Sequence, residues 1–198
     1  MSYSFLEENK IIPVIKVEKA EDILDILAAL EKGGINIAEI TFRTECAREA
    51  ISLAVKNFPN MIIGAGTVIN AKQCTNAISA GAKFIVSPGY LEEIGAVANN
   101  FNIPYIPGVI TPSEIMIAYK AGYSVLKFFP CQEFGGIDTI NAFSNVFPQV
   151  KFVPTGGINQ ENFKRFLKHH AVIAVGGTWI LKGDISKAAA NALKELKS

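Results

Sequence analysis

The sequence predicts an α/β fold built as a closed (β/α)8 barrel, and three observations carry that expectation. Eight short apolar runs alternate strictly with eight segments of helical periodicity along 198 residues. The apolar runs are continuous rather than alternating, the pattern of parallel strands covered on both faces. No linker, composition shift or low-complexity stretch divides them, so a compact single domain over 1–198 is expected, with a short helix in front. An open doubly wound sheet is the competing architecture. It would want a GxGxxG turn after its first strand, and the only similar fragment, GAGTVI, lacks the third glycine and closes strand three instead.

In order, Ser2 to Lys10 reads as the N-terminal helix and Ile11 to Val17 as strand one. Ala20 to Lys32 carries Ile23, Leu24, Leu27 and Leu30 as a helical stripe, stopped by Gly33-Gly34. Asn36 to Arg43 is strand two, and Glu45 to Asn57 is its helix, ended before Pro59. Met61 to Val68 leads into a helix from Ala71 to Ala80, stopped by Gly81. Lys83 to Gly89 is followed by a helix to about Asn99. Pro104 to Ile110 is followed by a helix from Pro112 to Ala121, where proline at the start and Gly122 past the end fit the usual asymmetry. Ser124 to Pro130 is strand six, with a helix from Gly136 to about Phe143. Lys151 to Ile158 precedes a helix over Gln160 to Leu167, with Asn159 as N-cap. Val172 to Ile180 and a helix from about Ile185 to Leu196 complete the eighth unit.

Bulk properties exclude several functions. Nineteen basic and 18 acidic residues leave a net charge of +1, which offers no footprint for nucleic acid or an acidic membrane surface, so a small-molecule partner is expected. Hydrophobic residues make up 49%, yet every apolar run is strand-sized and broken by Gly or Pro, too short for a membrane helix. The start, MSYSFLEENK, shows no secretory pattern, and a cytoplasmic protein is expected. Cys46, Cys74 and Cys131 form no CxxC pair and suggest neither a zinc knuckle nor a disulfide framework. Two histidines, His169 and His170, argue against a histidine-ligated zinc and against a Cys-His nucleophilic pair. A carboxylate-bound magnesium remains open on composition alone.

The chemistry centres on Lys127, a single lysine inside the apolar run SVLKFFP. Burying an unpaired ammonium is costly, and a lysine held in its neutral form becomes a nucleophile able to form a Schiff base with a carbonyl. The plain alternative is a lysine that snorkels to water. Strand parity decides where it points. The outer face of a barrel strand packs on helices and wants apolar side chains, so Glu39, Thr41 and Arg43 on strand two face inward, as do Val125, Lys127 and Phe129 on strand six. Lys127 is therefore expected to meet Glu39 and Arg43 inside the barrel, near the strand ends where such barrels carry their sites. A buried ion network that merely sets register is the alternative. Arg43 also offers a forked donor for a substrate carboxylate. The strand ends further hold Thr67, Ser87-Pro88-Gly89, Pro107-Gly108, Thr155-Gly156-Gly157 and Gly176-Gly177-Thr178. Diglycines in the last two loops expose backbone N–H groups. Alone they are turn punctuation, but together after strands seven and eight they suggest an anion site, with Thr178 adding a hydroxyl.

Seven motifs, EITFRT (39–44), GAGTV (64–68), SPG (87–89), IPG (106–108), KFFP (127–130), PTGGI (154–158) and GGTW (176–179), make the chain resemble one family over Ile11 to Leu181. It is the 2-keto-3-deoxy-6-phosphogluconate (KDPG) aldolases, also called 4-hydroxy-2-oxoglutarate (KHG) aldolases, which adopt TIM barrels. The resemblance implies a class I aldolase without metal or other cofactor, cleaving a 2-keto-4-hydroxy acid into pyruvate and an aldehyde. It implies Lys127 as the Schiff-base lysine and Glu39 as general acid and base. Arg43, Thr67 and Thr155 would bind the pyruvate end, with Pro88 and Phe129 as pocket walls. Gly156, Gly157 and Thr178 would hold the phosphate of a phosphorylated keto acid, and the assembly would be a homotrimer. Thr178 stands where a serine is common in phosphogluconate-specific members, so the gluconate, galactonate and short unphosphorylated series all stay open. The readings set against the aldolase are a non-catalytic barrel that binds a sugar phosphate and a phosphate-binding isomerase, which would not require a lysine in strand six. The resemblance assigns no role to Lys16.

Overall fold

A computed structural model describes residues 2–197; the outermost residues of the expected domain, 1 and 198, lie outside the described range. Strands β1 (Ile11–Ile15), β2 (Ile37–Thr41), β3 (Ile62–Gly66), β4 (Ile85–Val86) and β5 (Tyr105–Ile106) belong to one parallel sheet. Its sixth member is β9 (Val175–Gly177), and the order is β5-β4-β3-β2-β1-β9. A second parallel sheet contains β6 (Gly108–Val109), β7 (Val125–Phe128) and β8 (Lys151–Pro154), in that order. The chain passes directly from the first sheet to the second at Pro107, between β5 and β6. At the other edge isolated bridges join Phe152 to Val172 and Thr155 to Gly176.

Helices separate the strands as the alternation requires: α1 (Ser4–Glu8), α2 (Asp22–Lys32), α3 (Ala47–Asn57), α4 (Ala71–Ser79) and α5 (Glu92–Asn100), then α6 (Pro112–Lys120), α7 (Gly136–Val146), α8 (Phe163–Leu167) and α9 (Ile185–Lys197). Local chemistry sets several starts. Asn70 caps α4 by accepting from the Gln73 N–H at 2.8 Å. Thr111 and Glu114 form a reciprocal capping box on α6, whose first residue is proline. Helix α1 packs where β4 and β5 begin. The Tyr3 hydroxyl donates to the Tyr105 carbonyl at 2.8 Å, and Phe5 meets the Phe84 ring at 5.2 Å.

Strands β1 and β2 are buried at all five positions, as expected of a sheet covered on both faces. Outward side chains enter one continuous core with the helices. Phe128 of β7, for example, packs edge-on against Phe143 of α7, with centroids 6.0 Å apart.

Several boundaries differ from the sequence expectation, each for a local reason. Strand two stops at Thr41 rather than Arg43, because the neighbouring β3 ends at Gly66 and the next residue, Thr67, turns into the left-handed region at φ 54°. The expected strand Pro104–Ile110 splits at Pro107, which has no N–H to give a ladder. Asn159 does accept from the Glu161 and Asn162 N–H groups, but these organise a turn, and α8 begins only at Phe163. Strand eight shrinks to Val175–Gly177 and runs into a one-turn 3-10 helix, Trp179–Leu181. Helix α7 extends past Phe143 to Val146, and the N-terminal helix covers only Ser4–Glu8.

Candidate active site

Parity along β2 and β7 brings together two charged side chains 88 positions apart in the sequence. Glu39 and Lys127 are each 3% exposed, and Lys127 Nζ lies 3.5 Å from Glu39 Oε1. That distance is an ion pair with slack rather than a tight charge-assisted hydrogen bond, leaving the amine room to swing toward a carbonyl. The ammonium also lies 5.1 Å from the centroid of the Phe129 ring, within cation–π range. Apolar flanks are therefore only part of the lysine's environment, since a carboxylate and an aromatic face accompany it.

Arg43 does not join that pair. It follows the end of β2, is exposed, and donates from Nε to Thr67 Oγ1 at 3.2 Å. The expectation of Arg43 inside the barrel beside Lys127 is thus corrected: the strand stops two residues short, and the exposed guanidinium is engaged by Thr67 instead. Thr67 holds a left-handed backbone that non-glycine residues rarely adopt, a strain characteristic of functional sites. Thr41 faces inward as expected, but its hydroxyl is committed to the Ile15 carbonyl at 3.0 Å.

Thr155 follows β8, is buried, and its hydroxyl reaches only the Val153 carbonyl, at 3.5 Å, among the described residues. Gly156 and Gly157 both take left-handed φ values, 94° and 75°. Their carbonyls accept from Gln132 N and Asn162 Nδ2, at 3.2 and 2.9 Å, so the turn is held from the carbonyl side. Thr178 is exposed at the start of the 3-10 turn. Pro88 is exposed on a loop tied down by Ser87 and Tyr105, whose hydroxyls are 2.7 Å apart and both reach the Gly89 carbonyl. Burial pushes the Tyr105 hydroxyl up to about 12, so it stays protonated as a structural donor.

Sequence reasoning missed the structural work of strand glycines. A Cβ on Gly176 would lie 2.6 Å from Thr155 Oγ1, and one on Gly177 would strike the Trp179 ring. A Cβ on Gly108 would overlap the Pro88 carbonyl, and one on Gly66 the Glu39 carboxylate. Glycine inside a strand was the available signal, since it marks close approach of a neighbour.

Lys16 is accounted for by Glu18, 2.6 Å away on the surface beyond β1. Cys131 follows the cis Phe129–Pro130 peptide, but burial pushes its thiol up to about 12, an inert core group. Among the described residues no three His, Cys, Asp or Glu side chains converge as a metal site, and no helix is long and apolar enough to cross a membrane. A polar cleft of about 590 Å³ opens beside Arg43, lined also by Arg48, Asn70 and Lys72. A hollow of about 460 Å³ lies at the opposite strand ends, against Ile11, Ile35 and Leu193, away from the charged pair.

A sequence model described as KDPG and KHG aldolase matches residues 3–196. The KHG/KDPG aldolase of Escherichia coli K12 is 40% identical over 185 residues, covering 93% of this chain and 87% of its own. A KDPG aldolase structure from Legionella pneumophila, with pyruvate captured at low pH as a covalent carbinolamine intermediate, superimposes with a TM-score of 0.90 at 40% identity, over 94% of this chain and 95% of that one. The KDPG aldolase of Zymomonas mobilis ZM4 with 3-phosphoglycerate gives 0.89 at 37% identity, over 96% and 91%.

Proposed function

This chain belongs to the KDPG and KHG aldolase family, and from that premise we propose that it is a class I aldolase, a carbon–carbon lyase of carbohydrate metabolism acting on KDPG, KHG or both. The observation that carries the reading is the buried Lys127–Glu39 pair, 3.5 Å apart between β7 and β2.

The Glu39 carboxylate takes a proton from the Lys127 ammonium, and the freed amine adds to the C2 carbonyl of the keto acid to give a carbinolamine. Glu39 gives that proton to the departing hydroxyl, and the loss of water leaves an ionised carboxylate and an iminium into which the C3–C4 bonding electrons can flow. Glu39, through a water, takes the C4 hydroxyl proton as that bond breaks and the aldehyde leaves. It then returns a proton to C3 of the enamine, and hydrolysis releases pyruvate and the amine. Every step uses protons and water, and no metal or cofactor is required. Arg43, Thr67 and Thr155 hold the pyruvate carboxylate and carbonyl region, and Pro88 and Phe129 wall the pocket. The N–H groups of Gly156 and Gly157, with the Thr178 hydroxyl, receive the phosphate of a phosphorylated substrate. The left-handed diglycine turn supports that assignment.

We further infer that the two sheets are one closed (β/α)8 barrel and one domain. Tyr105–Val109 then counts as a single strand bent at Pro107, and the bridges from Phe152 to Val172 and from Thr155 to Gly176 support the remaining seam. A cytoplasmic homotrimer completes the proposal. The exposed Met116, Ile117 and Tyr119 of α6 support self-association, and the bacterial metabolic relatives support the compartment. Sedimentation at micromolar concentration should return three times the chain mass.

The deciding experiment is borohydride reduction with pyruvate, which should add covalent mass at Lys127. No adduct, or one mapped to Lys16, overturns the mechanism. Retro-aldol rates on the gluconate, galactonate and oxoglutarate substrates then rank the aldehyde released.

A further inference from the structure

Gly66 has no backbone reason to be glycine. It is the last residue of β3, and it is absent from the residues with left-handed φ, so alanine fits its conformation. A glycine at the end of a buried strand contributes no side chain to the packing, and something else must fill its place. The space its missing side chain leaves is filled by Glu39. A Cβ on Gly66 would overlap Glu39 Oε1 and lie 2.5 Å from its Cδ and Cγ.

The register explains why Gly66 and not its neighbour takes this role. Glu39 pairs with Gly64 across the β2–β3 ladder, and Thr41 pairs with Gly66. The Glu39 side chain therefore leans forward by two residues, roughly 6–7 Å, toward the strand ends that carry the site. The volume beside Gly64 is taken by Phe84, whose ring a Cβ there would strike. With Phe84 below, the carboxylate has one place to go, over bare backbone at Gly66, and from there it reaches Lys127 at 3.5 Å.

We propose that Gly66 is a positioning residue of the aldol reaction: its missing side chain forms the seat that sets the Glu39 carboxylate against Lys127 and the substrate C3–C4 bond. This rests on the aldolase reading above. The group displaced by any side chain at 66 is the end of a flexible glutamate, so the fold tolerates the change while the proton-transferring oxygens move.

Gly66→Ala should remain folded, keep KM near native and lose roughly 100-fold in kcat, the penalty of a displacement on the order of 1 Å at a reacting group. Glu39→Asp, which retracts the carboxylate by one methylene, should itself lose activity. In the double variant the nearest overlap, at Oε1, is gone and only the Cγ position, 2.5 Å from the new methyl, still crowds it, so its loss should be smaller than the product of the two single losses. A glycine that merely serves the strand gives independent losses. Native kcat in Gly66→Ala, or a double variant at the product of the singles, overturns the proposal. Should Gly66→Ala prove insoluble, the substitution is placed on Glu39→Ala. Recovery of soluble protein there supports the clash, and insolubility in both backgrounds overturns it. Borohydride trapping on the native chain separates the two levels. Without a Lys127 adduct the aldolase reading itself fails. The seat is then judged by melting temperature alone, where a loss from Gly66→Ala confined to the Glu39 background supports it and an equal loss in Glu39→Ala overturns it.

Discussion

Replacing Lys127 with methionine removes the ammonium but leaves the Glu39 carboxylate where it is, in a site where both side chains are 4% exposed. Leaving one member of a buried pair without its partner costs about 3–5 kcal/mol, because the stranded charge has lost both water and counter-ion. The separation of 3.5 Å is long for a charge-assisted contact, so the lower end applies, about 3 kcal/mol. For a chain of this length each kcal/mol moves the melting temperature by about 2–4 °C, giving a fall of roughly 6–12 °C. Glu39→Gln with Lys127→Met removes both charges, and most of that fall should be recovered although the double variant is as inactive as the single. The assay is thermal unfolding followed by circular dichroism at neutral pH, repeated in urea to test agreement. Lys127→Met melting with the native protein, or a double variant losing the sum of the two singles, would refute the reasoning.

Three further outcomes are expected. Gly176→Ala places a methyl 2.6 Å from Thr155 Oγ1 and should raise KM for the keto acid by roughly fivefold, the worth of about 1 kcal/mol for one displaced hydrogen bond; an unchanged KM removes Thr155 from substrate binding. His169 is lowered from 6.5 by burial first and then by His170 and Lys151, and its Nδ1 accepts the Ala171 N–H at 3.1 Å. The unfolded chain then binds a proton more readily than the native one, so stability should fall as pH drops through 6.5 toward the lowered native value. His169→Asn should flatten that limb, and identical pH–stability curves for variant and native count against this origin. Finally, a thiol reagent should label the half-buried Cys46 first, while Cys74 and Cys131, whose thiols burial pushes up to about 11 and about 12, react only on unfolding; early loss of Cys131 would contradict its placement in the core.

Much of this protein was legible in its residue order. Continuous apolar runs punctuated by Gly and Pro announced parallel strands with helices between them, because two-sided burial leaves no polar face to alternate. Strand parity alone placed Glu39 and Lys127 on facing interiors, since side-chain direction in a strand repeats every two residues whatever the tertiary context. Seven strand-end motifs pointed to the family, which the whole-chain match bears out.

The tertiary structure decided what parity cannot reach. Where β2 ends depends on its neighbour, since the left-handed turn at Thr67 stops the ladder at Thr41 and lifts Arg43 out of the interior. The role of Gly66 is invisible in a one-dimensional pattern, because the atom that excludes a side chain there belongs to Glu39, 27 positions earlier. The local sequence sets the direction in which a side chain leaves its strand, and packing across strands sets how far it travels and which atoms it meets.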